Sequence, residues 1–137
     1  MTIGEVLDWQ RSIDPLQNSE AVGAYQIMED TLRAYYRRAG LDRDDMFSRS
    51  NQDRIADVLI EQKRGMGPWL TGRMSLEEAM TRLAREWAAF PVPNAMQGHR
   101  MPVVRGESFY KAVAGNRAHV SPEDVERALL QARGVYA

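Results

Sequence analysis

The sequence predicts an all-α fold, a mainly helical single domain with little or no sheet, and three observations predict it. Helix-capping chemistry recurs along the chain, and apolar side chains fall at spacings of three and four. No run of period-two alternation is long enough for a substantial sheet. A chain of 137 residues with 44% hydrophobic side chains suits one domain over residues 1–137, since chains this size bury roughly two thirds of their extended surface.

Thr2 and Glu5 form a capping box that opens a short helix carrying Ile3, Val6 and Leu7 and ending near Ser12, before Asp14 and Pro15. A second helix is expected from about Ala24 to Ala39, with Tyr25, Met28, Leu32, Tyr35 and Tyr36 at helical spacing and Gly40 as its stop. Ser50 or Asn51 is expected to cap a third, with Ile55, Val58 and Leu59 inward and an end at Gly65. The Gly65-Met-Gly-Pro68 stretch then breaks the chain. From Ser75 to about Ala89 a second capping box, Ser75 with Glu78, leads Leu76, Ala79, Met80, Leu83, Ala84, Trp87 and Ala88, until Pro91 and Pro93 stop the ladder. Residues 91–106 show no periodicity and read as irregular, with a short helix expected around Glu107 to Ala114. Last, Ser121-Pro-Glu-Asp opens a helix through Val125, Ala128, Leu129 and Ala132.

Composition excludes several functions. Eighteen basic against nineteen acidic residues leave a formal charge of −1, which removes the footprint of a dedicated nucleic-acid binder. With no cysteine and two histidines twenty positions apart, His99 and His119, no metal site can be argued. No apolar run approaches the ~20 residues needed to span a bilayer, and Glu5 and Asp8 stand where a signal peptide wants positive charge and then an apolar run. Sixteen arginines against two lysines suggest planar anion recognition, but they are interleaved with acids and read more simply as a solvated face. There is no phosphate-binding loop, dinucleotide fingerprint or nucleophile elbow. Carboxylate chemistry on a glycosidic bond stays open, although nineteen acids cannot be ranked by type alone.

Ala21-Val-Gly-Ala-Tyr-Gln-Ile-Met28 resembles the Gly-x-Tyr-Gln signature of the phage lambda endolysin family and, more distantly, the Gly-Leu-Met-Gln signature of lytic transglycosylases. Asn51-Gln-Asp-Arg54, the Leu59 to Gly65 stretch and Arg85-Glu-Trp-Ala-Ala-Phe-Pro91 resemble the family's later motifs in the same order. Gly106-Glu-Ser-Phe-Tyr110 and Val120-Ser-Pro-Glu-Asp-Val125 resemble the C-terminal portion of phage-type muramidases. The resemblance implies a lysozyme-like fold, no cofactor, and cleavage of the bond between N-acetylmuramic acid and N-acetylglucosamine in peptidoglycan. It also implies manufacture in the bacterial cytoplasm and action at the cell wall, through lysis machinery or within a phage-like particle.

By that resemblance Tyr25, Gln26 and Ile27 are the substrate contacts, with Trp87 as a further candidate. A sugar groove wants aromatic platforms beside amides that both donate and accept, which Tyr25 and Gln26 offer. Tyr25 and Ile27 read equally well as core at a helix start, Trp87 more simply as packing at the end of an apolar stripe, and Glu86 as either solvated or groove-facing. The family's catalytic glutamate lies well upstream of the Gly-x-Tyr-Gln segment, and only twenty-two residues precede Gly23. The segment carrying it is therefore expected to be absent, and no catalytic residue is assigned. Glu5 and Glu20 are the nearest substitutes, but Glu5 is already committed to a cap, which lowers rather than raises a carboxyl pKa. Ala24 stands where the family commonly has arginine.

Three readings follow: a muramidase acting on peptidoglycan, a degenerate lysozyme-like domain with a glycan-binding or structural role in a phage tail or tail-like particle, and a small helical nucleic-acid-associated protein. The last rests on nine basic against six acidic residues between Arg33 and Arg73, a thin basis for phosphate affinity, so no specific nucleic-acid partner is expected.

Overall fold

The computed structural model of the chain describes residues 1–13, 21–113 and 115–136, with side chains as far as residue 134. The chain forms two compact units, Met1–Leu59 and Ile60–Ala137.

In the first unit, α1 (Ile3–Ser12) starts at the expected capping box: the Glu5 N–H donates to Thr2 Oγ1 at 3.2 Å and the Thr2 N–H to Glu5 Oε1 at 3.0 Å. The next two orphan donors of the first turn go to a neighbouring segment, Ile3 N–H to the Asp45 carbonyl at 2.8 Å and Gly4 N–H to that of Arg43 at 2.9 Å. Ile3, Val6, Leu7 and Gln10 are buried on this helix.

The second helix is much shorter than its apolar spacing predicts. Val22 and Ile27 exchange both backbone hydrogen bonds, at 3.0 and 2.9 Å, and Gln26 sits at φ +50, so residues 22–27 close a tight turn that no helix can contain. Helix α2 then covers only Glu29–Tyr35 and a 3-10 turn, Arg37–Ala39, ends in left-handed Gly40, the stop the sequence marks. Leu32 and Tyr36 are buried, while Met28 is exposed. Helix α3 (Arg49–Val58) is capped by Ser48 rather than Ser50 or Asn51, its hydroxyl accepting the Asn51 N–H at 3.2 Å. It passes into a π-helical turn, Leu59–Lys63, before Gly65 at φ +60. Ile55, Ala56, Val58 and Leu59 face inward, and α2 packs against both α1 and α3.

In the second unit a short α4 (Gly67–Leu70), started by Pro68, occupies part of the stretch read as a break. Ser75 caps α5 (Leu76–Glu86), accepting the Glu78 N–H at 3.1 Å, while the Glu78 carboxylate pairs with Arg82 instead of completing a capping box. The helix stops at Glu86, short of Ala89, because Trp87 is already extended. Its Ala79, Met80 and Leu83 join Met66, Trp69, Met74, Val125 and Leu129 in one core. Helix α6 (Pro122–Tyr136) supplies the last two, and its Ala128 and Ala132 are exposed rather than inward. It is fastened by the Trp69 indole N–H on the Leu129 carbonyl at 3.0 Å and by the Arg133 guanidinium 3.5 Å above the Trp69 ring.

The chain is mostly helical but not strictly all-α. Inside the segment read as irregular, β1 (Met96–Gln97) pairs antiparallel with β2 (Pro102–Val103), Met96 opposite Val103. Two-residue strands are too short to write an alternation into the sequence. The helix expected after Glu107 does not form through residue 113; Ala114 lies outside the described residues. The Glu107 carbonyl accepts from Val92 N–H at 2.8 Å and that of Phe109 from His99 N–H at 2.9 Å, so neither is available to an N–H four residues on.

Glu86 is not solvated. Its side chain is 5% exposed and held by Lys63 Nζ at 3.0 Å and Arg64 Nε at 2.8 Å. Removing one member of a buried ion cluster strands the others. Glu86→Ala is therefore expected to lower the unfolding free energy in urea by about 3 kcal/mol, whereas Glu78→Ala, which breaks an exposed pair, should cost no more than about 0.5 kcal/mol.

Candidate functional site

The turn at residues 22–27 is built around one buried amide. Gln52, at the close of the first turn of α3 and 9% exposed, accepts the Ala24 N–H on its Oε1 at 2.9 Å and donates from Nε2 to the Phe47 carbonyl at 3.1 Å. Gly23 passes so close, at φ +75, that a Cβ there would lie 2.4 Å from Gln52 Oε1. From the other side the Gln10 amide donates to the Ile27 carbonyl at 2.9 Å.

The next residue of α3 holds the aromatic side chain. The Tyr25 hydroxyl donates to Asp53 Oδ1 at 2.6 Å, Arg49 Nε reaches the same oxygen at 3.0 Å, and the Arg49 guanidinium lies 5.4 Å from the centre of the Tyr25 ring. The hydrogen bond to Asp53, then burial, raises the Tyr25 phenol above its ordinary value. The same bond, then Arg49, holds the Asp53 carboxyl below the usual carboxylate range.

Gln26 is exposed in its left-handed conformation, its amide nitrogen donating to the Gly23 carbonyl at 2.9 Å. Its side-chain oxygen meets no donor among the described residues and stands open as an acceptor. Tyr25 is half-buried, and Ile27 is 2% exposed, so Ile27 anchors the turn through its side chain while its backbone closes it. Tyr25, Gln26 and Ile27 thus lie on one turn of the first unit. Trp87 belongs to the second, half-buried against the core around Met80 and edge-on to Phe90 at 5.9 Å.

Gln52, Asp53 and Arg49 hold the turn although no sequence signal places them there. Gln52 and Asp53 were signalled only as a resembling segment, and nothing local marks Arg49. Beside Gly23 an open apolar depression of about 350 Å³ is lined by Met1, Val6, Trp9, Val22 and Phe47, with Trp9 41% exposed.

A general acid for glycosidic cleavage must be a carboxylate of raised pKa, which sets a test for the described carboxylates. Those whose pKa is displaced, Glu5, Asp53, Glu107 and Glu123, are all displaced downward, Glu5 by its bonds to Thr2. Glu20 lies outside the described residues. Among the described residues no group of three acids or histidines is placed to hold a metal ion, and no helix is long and apolar enough to cross a membrane.

Comparison with known proteins gives one finding: residues 9–117 match the model of the family described as Endolysin. No curated protein and no solved structure matches significantly.

Two outcomes test the turn. Gly23→Ala adds a left-handed penalty of about 1–2 kcal/mol and a collision with Gln52, so it should lower the melting temperature more than Ala24→Gly does. In an ultraviolet titration the Tyr25 phenol should ionise above an ordinary tyrosine, and Asp53→Asn should bring it back down, because the anionic acceptor that favours the protonated phenol is gone.

Proposed function

The chain belongs to the endolysin family, and from that membership we propose a lysozyme-like protein that contacts the glycan strands of peptidoglycan through the Tyr25–Gln26 turn and acts on the bond between N-acetylmuramic acid and N-acetylglucosamine. Its place of action is the bacterial cell wall. The observation that carries the site assignment is the double anchoring of the turn by Gln52 and Asp53. Two neighbouring side chains of α3 are committed to presenting the 22–27 turn, whose only exposed polar side chain is the Gln26 amide. A sugar offers hydroxyl and acetamido donors at its edge and an apolar face above its ring, and Gln26 and Tyr25 suit these in turn. Such pre-positioning lowers the entropy lost when a flexible strand is bound.

Cleavage of a glycosidic bond requires a proton delivered to the leaving oxygen by a carboxylic acid that is still protonated near neutral pH. Glu5 and Asp53 are held in the opposite direction by their hydrogen bonds. That observation favours a second reading, glycan binding without cleavage by the acids of this turn.

Muropeptide release from purified peptidoglycan, beside co-sedimentation with it, separates the two. Under the first reading the protein releases muropeptides, Glu5→Gln leaves the rate within about twofold, and Tyr25→Ala or Gln26→Ala lowers it about tenfold, the scale of one lost hydrogen bond to a ligand. Under the second, the protein sediments with peptidoglycan and releases nothing, and the same two alanine variants weaken sedimentation. Release abolished by Glu20→Gln would assign the acid to that residue. No release and no sedimentation would end the glycan assignment.

A further inference from the structure

Three residues after Val6 on α1, Trp9 stands at the edge of the helix's buried face and stays 41% exposed. A lone exposed apolar side chain needs no explanation, but this one is not alone. It shares an open depression of about 350 Å³ with Met1, Val22 and Phe47, at the low end of the ~300–1,000 Å³ of small-ligand sites. Val22 and Gly23 bring the 22–27 turn to the same depression, and Gly23 lies against the Phe47 ring, where a Cβ would meet Cε1 at 3.0 Å. Gln26 folds back on Gly23, its Nε2 donating to the Gly23 carbonyl at 2.9 Å. The other end of that amide, the Oε1 that meets no donor among the described residues, is thereby held at the residue that borders the apolar hollow.

An open acceptor at the edge of an apolar hollow selects a particular chemistry. An ion would lose hydration there without a counter-charge, and a bare hydroxyl would meet the acceptor and leave the hollow empty. A secondary amide that ends in a methyl group serves both, its N–H on the oxygen and its methyl against the apolar wall. We propose that the depression beside Gly23 is a subsite for the N-acetyl group of a hexosamine, with the acetamido N–H donating to Gln26 Oε1 and the methyl held among Trp9, Val22 and Phe47. The inference rests on the glycan-binding role of the Tyr25–Gln26 turn. It gives that turn a preference for N-acetylated strands, which Tyr25 alone, a platform for any pyranose face, does not supply.

Two sugars with the same β-1,4 backbone test this: chitotetraose, which carries an acetamido group on each ring, and cellotetraose, which carries a hydroxyl there. In isothermal titration the protein should bind chitotetraose about tenfold more tightly, the scale of one buried methyl with one hydrogen bond. Trp9→Ala should bring that ratio down to within about twofold, and Trp9→Phe, which keeps an aromatic wall, should retain most of it. Circular dichroism establishes that both variants keep their fold. Of the three tryptophans, Trp69 is 2% exposed and Trp87 half-buried, so iodide quenching reports mainly on Trp9, and chitotetraose should protect it. Equal affinity for the two sugars, or a preference that survives Trp9→Ala, would overturn the proposal while leaving the glycan reading standing. A Trp9 already shielded from iodide in sugar-free protein that sediments as a dimer would overturn it too, because a second copy would then fill the depression. Binding of neither sugar would also overturn it, and co-sedimentation with peptidoglycan then decides whether the glycan assignment falls with it.

Discussion

The local architecture of the first unit turns on a single side-chain amide. Gln52 has an acceptor and a donor in one plane, and it uses them on two backbone segments that have no helical partner, the Ala24 N–H and the Phe47 carbonyl. The Phe47 N–H is bonded in turn to the Met1 carbonyl, and the segment before it closes the orphan donors at the start of α1. A continuous chain of hydrogen bonds therefore runs from the first turn of α1, through residues 43–47, to α3 and the 22–27 turn. An apolar residue of similar size at position 52 would leave two backbone groups without partners, which costs more than the bonds themselves contribute. Because the amide lies against Gly23, it also leaves room for no side chain there.

Arginine usage has a comparable logic. Several of the ion pairs, such as Arg43 with Asp8 and Arg127 with Asp124, are exposed and contribute little to stability. More telling is where guanidinium groups meet backbone carbonyls: Arg54 on Ala39, Arg82 on Arg64 and Gly65, Arg133 on Trp69 and Met74. These carbonyls lie at or beside turns and helix ends, where oxygens lack an intrahelical donor. A planar group with several N–H donors can serve two such oxygens at once, which lysine's single nitrogen does less well. The excess of arginine over lysine thus has structural uses that require no anionic partner.

Two acids of the first unit are spent on holding positions: Glu5 on a cap, Asp53 on a tyrosine and an arginine. A carboxylate that accepts several hydrogen bonds is stabilised as the anion and is a poor proton donor at neutral pH. The hydrogen bonds that hold Tyr25 in the turn are the same ones that lower the Asp53 carboxyl.

Much of the secondary structure was legible without coordinates, because capping and helical periodicity are local. Thr2 with Glu5, Ser75 and Ser121 each open a helix as read, and Ile3, Leu7, Ile55, Met80 and Leu83 are buried as their spacing implies. The Gly-x-Tyr-Gln segment was also visible as a place of interest. What the sequence by itself determined, then, is where helices start, which faces they bury and which family the chain resembles. Tertiary structure alone decided that Ala24–Ile27 is a turn and not a helix, that carbonyls 107 and 109 are claimed from across the chain, and that Arg49, Gln52 and Asp53 converge on Tyr25 and its neighbours. The physical reason is the same in each case. A backbone or side-chain group bonds to whatever partner the fold brings within about 3 Å, and when that partner stands outside the local helical spacing, as Gln52 and Asp53 do for the turn and Val92 and His99 for residues 107 and 109, no local pattern records it.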